Sequence, residues 1–387
     1  MRWLPRLCIC CCGVFASQAG SHAEDMGRFR SDVAALLREQ DRSAAGRADA
    51  LTRQQSKLAS ISKDYLGAGK FEPVEPNLRA MTEYVLSGGN PDLAERFLKS
   101  SGLPGKDIGV LKAAIHFMRG EREAATKLLV GVDPLRLPPG LVGRVALMQA
   151  MLLPDGDHRK LELLDIAIAA MPGTLVEESA LRRFVAAAAE ATEVPHFWSR
   201  ATRYFRRFSG SPYGAEFANS LIDTVVSLEE RGRKADQRKI ELLLDELPAN
   251  RRRTVYLLLT RKSFAAGLSG LAVFAARRAS RLSLEGSQEK SSSMVYANLY
   301  GIAGEAADQS MRQLELVDAA ILGRRERLLL EAARSMAWRI RSPVTESPDT
   351  ISPAAEFDRE PPEFMTIEKP AAAALEAANL LLRDAIQ

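Results

Sequence analysis

Three histidines remain once a leader ending near residue 23 is set aside. The chemistry open to this chain turns first on His116, His158 and His196. His158 stands beside Asp155 and Asp157, a trio that could hold a metal ion. The same residues spell an Asp-Gly-Asp turn in which Asp157 caps the next helix, and that reading is preferred. His116 is embedded in an apolar run, as a core or edge histidine would be, and His196 follows Pro195 at a helix start. No two histidines have metal-ligand spacing, and His-Glu-x-x-His is absent. Gly267-Leu268-Ser269-Gly270 and Ser209-Gly210-Ser211-Pro212 are turn chemistry and do not spell Gly-x-Ser-x-Gly. The acid pairs Glu177-Glu178 and Glu229-Glu230 are adjacent on helices, so each pair diverges and cannot share a proton. With no phosphate-binding glycine loop either, the expectation is a protein that is not an enzyme and has no catalytic residue, metal or cofactor.

Arginine clusters are the remaining candidates. Arg200, Arg203 and Arg207 line the flank of an aromatic helix and could make charge-assisted bonds to carboxylates of a partner. Arg231, Arg233, Lys234, Arg238 and Lys239 form a second patch, and Arg251, Arg252 and Arg253 a third. Solvated helix ends favoured by the macrodipole are the default for such runs. The alternative is a docking surface for an acidic partner or for the chain's own acidic stretch.

The elements that carry these residues read as helices throughout. Ala, Leu, Arg and Glu are abundant and aromatics make up 6% of the chain, a composition that loses little on entering a helix. The expected fold is all-α, a helix-hairpin solenoid resembling tetratricopeptide repeats but lacking their large aromatic positions. Residues 24–76 are an N-terminal helical segment with a thin apolar stripe through Val33, Leu36, Leu37, Leu51, Leu58 and Ile61, as on a peripheral or packing helix. Residues 77–341 form the repeat body, with tight turns at Gly89, Gly120 and Gly156, a spacing typical of two-helix repeats. Thr174-Leu175-Val176-Glu177 predicts a capping box at the head of a helix. The next helix places Phe197, Ala201, Tyr204, Phe205 and Phe208 on one face. Residues 285–293 read as a polar loop, followed by helices over about 294–322 and 323–341. Residues 342–370 hold six prolines and seven acids and read as an acidic linker, with 371–387 a closing helix.

All four cysteines, Cys8, Cys10, Cys11 and Cys12, lie in the first twelve residues. Arg2 and Arg6, an apolar stretch to Ala16, then Ser17-Gln18-Ala19 and Ser21-His22-Ala23 are the parts of a secretory signal peptide, with cleavage after Ala23 preferred. Residues 1–23 are therefore read as leader, and the mature chain as periplasmic and free of thiols. A lipoprotein is the rival, but Leu7-Cys8-Ile9 is a poor lipobox. The formal charge of +4 falls with the leader, leaving 51 basic against 49 acidic side chains. That balance gives no global field for nucleic acid.

Several boxes, read in order, resemble one family. These are Leu86-Ser87-Gly88-Gly89-Asn90-Pro91, then Pro172-Gly173-Thr174-Leu175-Val176-Glu177-Glu178 with Ala180-Leu181-Arg182-Arg183. Arg203-Tyr204-Phe205-Arg206-Arg207-Phe208 follows, with Ser211-Pro212-Tyr213 and Phe217. Behind a signal peptide, the segment from Asn77 to about Leu228 resembles MotC, a periplasmic motility family. The resemblance implies a non-enzymatic protein required for flagellar motor rotation, with the periplasmic part of the stator protein MotB as its partner. It carries over no catalytic residue. The alternatives are a generic periplasmic helical-repeat adaptor for an envelope complex, and a cell-wall enzyme or its inhibitor.

Overall fold

The computed structural model describes residues 17–67, 74–103, 108–188, 196–304 and 306–341, and among them every regular element is helical. The N-terminal helices are α1 (Ser17–Ala44), α2 (Ala50–Leu66), α3 (Glu75–Leu86), α4 (Pro91–Ser101) and α5 (Gly109–Met118). Next come α6 (Arg122–Leu129), α7 (Pro139–Leu152), α8 (His158–Ala170), α9 (Leu175–Ala188) and α10 (Phe197–Phe208). The series continues with α11 (Gly214–Glu230), α12 (Gln237–Leu244), α13 (Ala249–Ala265) and α14 (Ser269–Arg281). It closes with α15 (Gln288–Leu299), α16 (Ala307–Glu315) and α17 (Arg324–Arg341). Helices adjacent in sequence pack on one another, α1 on α2, α5 on α6, α7 on α8 and α13 on α14. The chain is an all-α array of helix hairpins. It divides into two units, Met1–Trp338 and Arg339–Gln387, the second described only over the last turn of α17. The expected leader residues 1–16, the acidic linker 342–370 and the closing helix 371–387 lie outside the described residues, as does Pro195.

Local chemistry accounts for the turns. Asn90 accepts from the amide of Asp92 at 2.9 Å and starts α4, and Asp157 does the same for Arg159 at 2.9 Å to start α8. At the first expected glycine turn the left-handed residue is Gly88 (φ +88°), one place before Gly89. Gly89 is needed for another reason: a Cβ there would sit 2.5 Å from the Tyr84 ring.

Among the described residues, apolar side chains gather in three clusters. The first joins Phe29, Val33 and Leu36 of α1 to Tyr84, Phe97, Leu111 and Val145. Of the two readings left open for the N-terminal helices, packing helices are what the structure has: they form part of a core. Phe29 and Leu36 are fully buried, and Phe29 meets Tyr65 and Tyr84 edge to face at 5.1 and 6.1 Å. The second and largest cluster joins Ala44 of α1 to residues between Ala146 and Ala279 and contains the aromatic face of α10. The third joins α15, α16 and α17 through Val295, Leu314 and Leu330.

Two expectations fail near the C-terminal end of the array. The polar run 285–293 is a loop only in its first part, because Ser287 accepts from the amide of Lys290 at 3.2 Å and caps α15. Ser291, Ser292 and Ser293 then lie buried within that helix. Serines there signal close helix packing, since small side chains let neighbouring helices approach. The single helix expected over 294–322 is broken into α15, a 3₁₀ turn at Tyr300–Ala303, α16 and a second 3₁₀ turn at Ala319–Ile321. Gly301 and Gly304, poor helix formers, mark the first break.

Candidate interaction surface

The arginine flank of α10 is held by carboxylates of the same chain. Helix α10 buries Phe197, Ala201, Tyr204, Phe205 and Phe208, as its pattern predicts. Tyr204 stacks on Phe217 of α11 with centroids 3.6 Å apart, and Phe205 meets the same ring edge-on at 5.1 Å. Burying this face points the arginine side of α10 at α8 and α9. Arg200 Nη2 lies 2.7 Å from Asp165 Oδ1 on α8. Arg203 Nε donates to Glu177 Oε1, and Arg207 Nη1 reaches the same oxygen at 3.5 Å. The arginine side chains keep 22%, 30% and 41% of their surface exposed respectively, whereas the Glu177 side chain is wholly buried.

Glu177 also completes the cap of α9, with a shift. Thr174 Oγ1 accepts from the amide of Glu177 at 3.3 Å, as a capping box requires, but the Glu177 carboxylate takes the amide of Gly173 instead of that of Thr174. A further donor at this helix start, the amide of Leu175, is satisfied from far away in sequence, by Asp41 Oδ1 of α1 at 2.9 Å. Burial pushes the Asp41 carboxyl up, opposed by that bond and by the charge of Arg144.

Glu178, next in sequence, faces the other way and is equally buried. Its Oε1 accepts from Tyr204 Oη at 2.7 Å and Ser211 Oγ at 3.2 Å, while Oε2 has no hydrogen-bond partner among the described residues. Arg182 Nε lies 3.7 Å away. Burial raises the Glu178 carboxyl above its ordinary range; the Tyr204 bond and Arg182 oppose this. The Tyr204 hydroxyl is itself pushed up by burial and by the Glu178 charge. Divergence of the two carboxylates follows from their adjacency, but their burial was not foreseen. A signal existed: Leu175, Ala180 and Leu181 surround them at helical spacing, which marks this part of α9 as interior.

The histidines do not gather. His116 Nδ1 pairs with Glu121, His158 is exposed beside Asp157, and His196 is the N-cap of α10 in a left-handed conformation (φ +67°). Asp155 instead holds Lys160 at 2.6 Å. Among the described residues no three or more His, Cys, Asp or Glu side chains form a group that could hold a metal ion.

What these boxes build is a fixed joint between α1, α9, α10 and α11. The family model described as "Chemotaxis protein MotC" matches residues 6–385. This chain belongs to the MotC family. It is also 31% identical over 330 residues to the Chemotaxis protein MotC of Rhizobium meliloti (strain 1021), covering 82% of this chain and 73% of that relative. No solved structure matches. The motif around Thr174 to Arg183 and the aromatic face of α10 thus serve this MotC chain as scaffold: each motif residue described above is engaged within the fold.

Proposed function

We propose that this chain is a non-enzymatic periplasmic motility protein that binds the periplasmic part of the stator protein MotB and is required for flagellar motor rotation. The observation that carries the reading is the family match across residues 6–385. The Arg-flanked apolar leader with its small-residue cleavage sites supports export. No helix among the described residues is long and apolar enough to cross a membrane, which agrees with a protein working beside a membrane complex. Arg200, Arg203 and Arg207 enter the reading through their outer edges. A guanidinium has five donors, the bonds to Asp165, to Glu177 and from Arg203 to the Ile168 carbonyl use only some of them, and the three side chains stay partly exposed. Those donors suit carboxylates on the partner.

A deletion strain tests the proposal. Cells should carry filaments of normal length yet fail to rotate them, and the protein should co-purify with MotB from periplasmic extract. Normal swimming, or loss of the filament itself, would refute the stator role. Intact mass of the exported protein should correspond to a chain starting at Glu24; a lipid adduct would overturn the leader assignment.

A further inference from the structure

A second basic surface is carried by α14, and the fold pairs only one of its three arginines among the described residues. A groove of about 310 Å³ runs along α14, lined by Gly270, Val273, Phe274, Arg277, Arg278 and Arg281, with Gln237 from the start of α12. Arg278 is fixed: its guanidinium pairs with Glu241 of α12 and stands 5.9 Å from the centre of the Phe274 ring. Arg277 and Arg281 are exposed, and neither has a hydrogen bond or ion pair among the described residues. Position near the C-terminus of α14 explains why cations are tolerated there. It does not neutralise them, while most other arginines of the array have a carboxylate or carbonyl partner.

We propose that this groove binds a carboxylate-rich, extended polypeptide segment of another protein. Three observations define that occupant. Arg277 and Arg281 are one helical turn apart, about 6 Å along the axis, which matches the spacing of alternate side chains on an extended chain, about 6.7 Å. The groove already recognises a carboxylate, since Glu241 occupies Arg278. Three of its seven lining residues are arginines, beside Val273 and Phe274, and its volume is at the lower bound for a small-molecule pocket. A polyphosphate or nucleic acid fits less well, because the chain as a whole is near charge balance and offers no long-range field. This inference goes beyond the stator reading, because it concerns other residues and holds whichever protein supplies the carboxylates.

The test uses full-length processed protein and a fluorescein-labelled ten-residue peptide alternating glutamate and serine, followed by fluorescence anisotropy at low and physiological salt. Binding should weaken with salt, should fall at least about tenfold in the Arg277→Glu/Arg281→Glu variant, and should be weaker for a peptide with glutamate at every third residue. Arg277→Gln/Arg281→Gln should lose binding in the same direction. Arg312→Glu, on the exposed side of α16, should leave it unchanged. Thermal midpoints of all variants report whether folding is intact. Absence of binding, equal loss with Arg312→Glu, or tighter capture of inorganic polyphosphate than of the peptide would overturn the proposal. Binding that emerges only after removal of residues 342–387 would overturn it too, since the chain's own acidic stretch would then be the occupant.

Discussion

Replacing Tyr204 by phenylalanine isolates one buried bond and attaches a pH signature to it. The ring stays, stacked at 3.6 Å on Phe217, so packing changes by a single oxygen atom. What is lost is the 2.7 Å donation to Glu178 Oε1 in an interior where Oε2 is already without a hydrogen-bond partner among the described residues. A hydrogen bond to an ionised acceptor contributes about 1.5–3 kcal/mol, and one to a neutral acceptor about 1 kcal/mol. The sign with pH follows from the direction of the Glu178 shift. Burial raises the folded-state pKa, and the Tyr204 bond lowers it part of the way back. Without Tyr204 the folded pKa rises further, so the variant binds its proton more tightly than the parent. Stability of both proteins falls as pH rises from the unfolded value of about 4.3 through the folded one. The fall is larger in the variant. The expected loss is therefore about 1 kcal/mol near pH 4 and about 2 kcal/mol near pH 8. Urea unfolding followed by far-ultraviolet circular dichroism measures both. A loss independent of pH, or smaller at pH 8, would refute the argument. So would the same pH trend persisting in a Glu178→Gln background, where no carboxylate remains to titrate.

Three further outcomes follow from the joint at α9 and from the turns. Asp41→Ala should destabilise by about 1 kcal/mol or more through loss of the cap on Leu175, and Asp41→Asn by less, because its amide oxygen still accepts; chemical denaturation compares them. Thr174→Ala should cost on the order of 1 kcal/mol, since Oγ1 both accepts from Glu177 and donates to the Met171 carbonyl at 2.7 Å. Gly46→Ala should be worse than Gly120→Ala in thermal unfolding. Both positions have positive φ, but a Cβ at Gly46 would lie 2.5 Å from the Gly210 carbonyl oxygen, whereas Gly120 faces open space. Equal costs would show that conformational strain, and not the close crossing of the two loops, sets the penalty.

Helix content, the hairpin turns and the apolar face of α10 were legible in the amino-acid order, because periodicity, Asx caps and glycines are local signals. The family was legible too, through the boxes around Thr174 and Tyr204. Other features were not. The serines at 291–293 look like loop by composition, yet a cap at Ser287 and close packing make them helix interior. The N-terminal stripe looks thin, yet α1 joins a core because α3 and α9 pack on it as well as the adjacent α2, a fact set in part by contacts far apart in sequence. The pairing of Arg203 and Arg207 with Glu177, 26 and 30 residues away, and of Asp41 with Leu175, 134 residues away, depends on which helix faces meet. A one-dimensional pattern states which side of a helix is apolar. Only the packed array decides which charges that side carries into the interior, because the cost of burying a carboxylate is met by donors that other helices bring.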